Sequence, residues 1–204
     1  MTDKKEHIIN KAMELFALKG FEGTSIRDLA AAAEVNVAMI NYYFGSKEKL
    51  FESLVESKAA STRGSLEELA KDKKLNSLEK IDRIIDAYVE RLFTHRQFHR
   101  VIQQELITNQ REILTEIIVQ AMFPNALTIK TILEAGIKNN EFRKVDLQLT
   151  VATLIGTINQ VLLSKTFCLK LLGKEANYSP YDDPKFRKRV ADHLKQLMRA
   201  HLLK

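Results

Sequence analysis

The side chains best suited to chemistry lie between Asn36 and Lys47, in the run NVAMINYYFGSK. On a helix advancing about 100° per residue, Ile40 and Phe44 share one face, with Val37 and Tyr43 at its edges. Ala38 and Tyr42 point away from that face, flanked by Met39 and Asn41. The outward set of Ala38, Met39, Asn41 and Tyr42 carries no charge, which is unusual for a surface meant only to meet water. It suits a major groove: an Asn amide pairs bidentately with adenine, and apolar groups meet thymine methyls. Tyr hydroxyls and the Lys47 ammonium can reach phosphates, which position a helix without reading sequence.

Other reactive groups are sparse. His95 and His99 are spaced i, i+4, as on a metal-binding helix, but no Glu follows the first His as in the zinc protease pattern. Cys168 is the single cysteine, so no disulfide forms within the chain, which fits a reducing cytoplasm. It reads as a small buried hydrophobe. No glycine loop for phosphates and no Ser/His/Asp arrangement is legible, so the expectation is a non-enzyme with no cofactor and no metal. The formal net charge is +6. Residues 1–50 hold seven Lys/Arg against seven Asp/Glu, whereas residues 185–204 hold seven against one. That excess reads as the solvated face of a terminal helix. The case for DNA therefore rests on geometry rather than on charge.

These groups need elements to hold them. Seven Gly and three Pro in 204 residues leave few interruptions and predict long helices. Ile8, Ile9, Ala12, Leu15 and Phe16 mark a first helix over 3–19, ended by Gly20. Ser25 with Asp28 three residues later is an acidic variant of the capping box, opening a second helix from Ile26 to about Ala33. Glu34-Val35 is a short turn. Asn36 caps a third helix over 37–44, and Gly45 stops it. Ser46 caps a fourth helix reaching Ala70, and Ser77 caps the next. Further helices are expected over 97–108, 110–122, 124–139, 146–172 and 184–202. Pro124 is a kink or break, Asp146 a cap and 173–183 a loop. No stretch alternates as a strand does, none approaches about 20 uninterrupted apolar residues, and the charged N-terminus is unlike a secretory signal. A soluble, cytoplasmic, all-α protein with no membrane partner is expected.

The second helix, turn and third helix form a helix-turn-helix whose second helix is the reader. The stretch GFEGTSIRDLAAAAEVNVAMINYYFGSKEKLF resembles the N-terminal signature of the TetR/AcrR family of transcriptional regulators. That signature runs from an aromatic-Gly connector through Thr-Thr/Ser to an aromatic cluster ending in Phe, then Ser-Lys-Glu-x-Leu. The resemblance implies that Thr24, Ser25 and Arg27 lie at the DNA end of the second helix. It implies that Val37, Ala38, Met39 and Asn41 face bases, that Tyr42, Tyr43 and Lys47 hold phosphates, and that Asn36 both caps and contacts DNA. Two positions depart from the pattern: Glu34 stands where Gly is usual, and Asn41 where Tyr is usual.

The resemblance further implies an N-terminal three-helix DNA-binding domain over 1–48 and a larger helical ligand-binding and dimerisation domain over 49–204. A homodimer would form on the last two long helices. Leu149, Ala152, Thr153, Gly156 and Gln160 offer small residues for close approach on one, and Val190, Leu194, Leu197 and His201 an apolar stripe on the other. A ligand cavity would draw on Tyr88, Phe93, Phe98, Gln103, Met122, Phe123, Asn159 and Phe167. The expected function is a ligand-responsive regulator, a repressor in the family's usual mode. It would bind a palindromic double-stranded operator as a homodimer and be released by a small-molecule inducer. The alternatives are a helical protein–protein adaptor without specific DNA binding, or a metal-dependent enzyme using His95 and His99.

Overall fold

The computed structural model describes residues 2–108 and 110–204, and the described residues form ten α-helices and no strand. They are α1 Thr2–Lys19, α2 Ile26–Ala32, α3 Val37–Phe44, α4 Lys47–Lys71, α5 Ser77–Thr94, α6 Arg96–Thr108, α7 Glu112–Lys138, α8 Leu147–Leu163, α9 Lys165–Leu172 and α10 Pro184–Leu202. The all-α expectation holds. No single helix among the described residues is long and apolar enough to cross a membrane, and α8 and α9, which together approach that composition, are bent by 93°.

Local chemistry corrects four expected boundaries. Asn76, not Ser77, caps α5: its Oδ1 accepts the Glu79 N–H at 2.9 Å, and Glu79 accepts the Asn76 N–H at 2.8 Å. Pro124 lies inside one continuous α7 rather than dividing two helices. Its ring removes an N–H that the carbonyl four residues back would accept, but tertiary packing keeps the helix together. The helix expected over 146–172 breaks at Ser164, whose extended backbone ends α8 and whose side chain caps α9 by accepting the Phe167 N–H. The 173–183 segment contains a short 3₁₀ turn, Pro180–Asp182.

The chain divides into two compact units. The first comprises Met1–Arg63 with Gln97–Pro124, and the second Gly64–Arg96 with Asn125–Lys204. In the first, Phe16, Phe21 and Phe51 pack with ring centroids 5.4–5.7 Å apart. Ile8, Leu29, Ile40 and Leu54 surround them, and Ile102 of α6 and Leu114 of α7 join the same core. Each large apolar side chain so buried contributes about 1.5–3 kcal/mol.

In the second unit α5 packs along α10. Ile81, Ile85, Val89 and Leu92 lie in one core with Leu194, Met198 and Leu202. Along this pair Asp86 meets Lys195 at 2.6 Å, Glu90 meets Arg187 at 2.6 Å, and Asp82 meets Arg199. Three cations of the basic tail are thus matched by α5 carboxylates. Gly136 is required by close approach: a Cβ there would lie 2.2 Å from the Phe142 ring.

Candidate nucleic-acid interface

α2 opens on Ser25, whose Oγ accepts the Asp28 N–H at 3.1 Å while Asp28 accepts the Ser25 N–H at 2.9 Å. The expected capping box is formed, and it satisfies N–H groups that the first turn leaves without helical partners. The Ser25 hydroxyl also donates to Asp28 at 2.6 Å, and Lys19 lies 3.1 Å from that carboxylate. The Ser25 hydroxyl first, then its N–H and Lys19, hold the Asp28 carboxyl at about 2. After α2, Glu34 adopts φ +53°, the left-handed conformation that explains glycine's frequency at this turn in the family signature. Asn36 caps α3 by accepting the Met39 N–H at 2.8 Å, and Gly45 ends it at φ +79°.

The two faces of α3 are those read from its periodicity. Ile40 and Phe44 are buried, and Tyr43 is half-buried at the edge. Val37, Ala38, Asn41 and Tyr42 are exposed, Tyr42 at 76%. Met39 is half-buried, so it contributes less to the outward face than its position on the wheel implies. Tyr42 meets the Tyr43 ring edge-on at 5.3 Å. Ser25, Arg27 and Asn36 are exposed.

Two expected contact residues are turned inward. Thr24 is fully buried, and its hydroxyl donates to the Gly20 carbonyl at 2.8 Å. Lys47 is half-buried. Its ammonium donates to the carbonyls of Phe21 at 2.9 Å and Thr24 at 3.1 Å, and lies 4.2 Å from the Phe21 ring centroid. The physical reason is the connector between α1 and α2, whose carbonyls lie outside any helix and need donors. A cation at the start of α4 supplies them and covers an aromatic face as well.

The model for the tetR family of bacterial regulatory proteins matches residues 8–54, which hold α2, α3 and the start of α4. The tetracyclin repressor-like C-terminal domain model matches residues 74–163. The chain belongs to the TetR family. It is a DNA-binding transcriptional regulator.

Among similar proteins, the "Probable HTH-type transcriptional regulator YttP" of Bacillus subtilis is 28% identical over 197 residues, 96% of this chain and 92% of that protein. The HTH-type transcriptional repressor NicS of Pseudomonas putida is 44% identical over 57 residues, 28% of this chain and 27% of its own. Among solved structures, FadR of Bacillus subtilis in complex with stearoyl-CoA has a TM-score of 0.74 at 24% identity, covering 93% of this chain and 96% of that one. PfmR of Thermus thermophilus has a TM-score of 0.71 at 21% identity, covering 97% and 99%. These structural likenesses concern the fold.

The residues expected at other TetR-family sites are distributed as follows. On α8, Leu149, Ala152, Thr153, Gly156 and Gln160 are all exposed, Leu149 at 66%. Val190 and Leu194 are instead buried in the core of their own unit, because α10 turns that stripe toward α5. Leu197 is half-buried, and His201 shares a 2.9 Å hydrogen bond with Thr150. Of the ligand candidates, Phe98, Gln103, Met122 and Phe123 fall in the first unit and Tyr88, Phe93, Asn159 and Phe167 in the second. Phe93 and Phe98 are core residues, and Phe93 meets Tyr181 edge-on at 6.2 Å. Phe123 and Phe167 are exposed, Gln103, Met122 and Asn159 half-buried, and burial pushes the Tyr88 hydroxyl up.

His95 ends α5 and His99 lies within α6, so the pair does not share one helix and the spacing loses its meaning as a ligand pattern. No group of three His, Cys, Asp or Glu among the described residues could hold a metal. Cys168 is buried, which pushes its thiol up. Sequence reasoning missed Glu22 and Arg111, which meet across 89 positions of chain without any local signal.

Proposed function

We propose that this protein is a repressor that binds a palindromic operator as a homodimer and is released by a small-molecule inducer. The observation that carries the reading is the outward face of α3. It is uncharged, exposed, and held at a fixed angle by the Asn36 cap, the Gly45 stop and the buried Ile40 and Phe44. Val37, Ala38 and Asn41 face bases in this reading, with Asn41 the adenine-reading amide and Tyr42 a phosphate ligand. Ser25, Arg27, Asn36 and Tyr43 complete the contact. Residues 1–48 then serve as the reading head and 49–204 as the ligand-binding and dimerising part.

The exposed α8 face supports dimerisation, and its small residues favour a close helix–helix contact. On α10 the exposed neighbours His193, Gln196 and Ala200 take the role first expected of Val190 and Leu194. Two reading heads on a twofold axis require half-sites about one helical turn or more apart. For the inducer, a groove of about 810 Å³ lined by Glu52 and Glu56 of α4 and by Ile113, Ile117 and Ala121 of α7 supports an amphipathic compound. Small-molecule sites span roughly 300–1,000 Å³. A ligand wedged against α4 would act on the helix that begins with Lys47. NicS is named a repressor, which supports the repressor part of the reading, and FadR, a similar fold, was solved with stearoyl-CoA, which supports a small-molecule ligand.

The test is binding to the DNA upstream of the protein's own coding region, measured by fluorescence anisotropy at physiological salt. Asn41→Ala should lose about 1–3 kcal/mol on the preferred site and relax base preference. Tyr42→Ala should weaken all fragments alike. A wild-type protein that binds no fragment above non-specific levels would sink the reading and favour a protein–protein adaptor.

A further inference from the structure

Arg111, in the connection between α6 and α7, makes contacts that DNA recognition by α3 does not explain. Its Nε lies 2.5 Å from Glu22 Oε1, on the connector between α1 and α2. Its Nη1 lies 2.9 Å from Oε2 of Glu105, a buried carboxylate on α6. Its guanidinium stands 5.5 Å from the centroid of the Phe21 ring. The Arg111 carbonyl accepts the N–H groups of Leu114 and Thr115, so its backbone is fixed at the start of α7. The same connector is gripped by Lys47 through the Phe21 and Thr24 carbonyls. Two cations from distant parts of the chain therefore hold one short segment, and that segment leads directly into Ser25 and α2.

The geometry points to Arg111 as a positioning residue for DNA binding. It fixes the connector Phe21–Thr24 and through it the aim of α2 and α3, and it makes the α6–α7 corner a second point, besides α4, from which operator affinity is set. The inference rests on the DNA-binding reading and deepens it. A planar guanidinium suits this task because its fork can hold two carboxylates at once, which a lysine ammonium does with less geometric constraint. Glu105 is the anchoring partner, since a buried carboxylate left without Arg111 is costly. Glu22 is the adjustable one, being exposed.

The sign of one substitution separates this role from simple electrostatics. Glu22 is an anion on the reading head, so neutralising it should raise affinity for a polyanion if charge alone matters. If it tethers the connector to Arg111, Glu22→Gln should instead lower operator affinity about 3–10-fold, with the melting temperature little changed. Arg111→Lys should lower affinity similarly, and the double variant should lose no more than either single one.

Amide hydrogen exchange without DNA gives the second arm. Glu22→Gln should speed exchange at residues 21–25 about threefold or more, and leave the α5 amides unchanged. Raised affinity in Glu22→Gln, additive losses in the double variant, or unaltered exchange at 21–25 would each overturn the proposal. If the wild-type protein binds no DNA fragment, the repressor reading fails, and the exchange arm alone decides whether Arg111 holds the connector.

Discussion

Replacing Lys47 by Met should damage the reading head from within rather than remove a phosphate contact. The ammonium makes two hydrogen bonds, at 2.9 and 3.1 Å, to connector carbonyls, and covers the Phe21 ring at 4.2 Å. A hydrogen bond to a charged group is worth about 1.5–3 kcal/mol when buried, and half-burial reduces each here to about 1 kcal/mol. The cation–π contact adds about 0.5–1 kcal/mol. Methionine keeps the apolar stem, so the loss is about 2–3 kcal/mol, or about 4–12 °C in melting temperature for a chain of this size. The assay is thermal denaturation paired with DNA binding across a salt series. A phosphate partner releases counterions, so its loss would flatten the slope of log K against log salt by about 0.9. A positioning lysine lowers affinity and leaves that slope alone. Unchanged stability with a slope reduced by about 0.9 would refute the inward role.

Three further outcomes are expected. Glu34→Gly relieves a left-handed side-chain conformation worth about 1–2 kcal/mol, partly offset by glycine entropy, so stability to urea should rise by about 0.5–1 kcal/mol; a fall would show that Glu34 is not strained. Asp28 sits at about 2 against its ordinary 3.8, so its carboxylate stabilises the fold above about pH 4 and that contribution is lost as pH falls toward 2. The stability gap between wild type and Asp28→Asn should close over that window. A Cβ at the exposed Gly156 meets nothing within 4 Å, so Gly156→Glu should fold normally yet elute as a monomer, whereas the wild type should elute as a dimer in size-exclusion chromatography with light scattering.

The head was legible because its signals are local. Ser25 and Asp28 are three residues apart, Asn36 and Met39 likewise, and the α3 faces follow from a period of 3.6. What escaped were contacts made over long separations. Nothing near Lys47 in the sequence says that its ammonium turns back 26 residues to Phe21. The α10 stripe of Val190 and Leu194 has the spacing of an interface. Periodicity reports that a face is apolar but not which helix covers it, and here α5 does. The break at Ser164 was hidden because the helical pattern resumes at once on its far side. Pro124 misled in the other direction, since a helix packed along its length tolerates one missing hydrogen bond.

The α3 helix divides its residues between two owners. Ile40 and Phe44 belong to the core, while the side chains of Ala38 and Asn41 are exposed. Changing the outward pair therefore costs the fold almost nothing. With Asn41 reading bases as proposed, replacing it would let a lineage drift to a new operator without first acquiring stabilising mutations elsewhere, and would let an engineer retarget the protein at a fixed melting temperature.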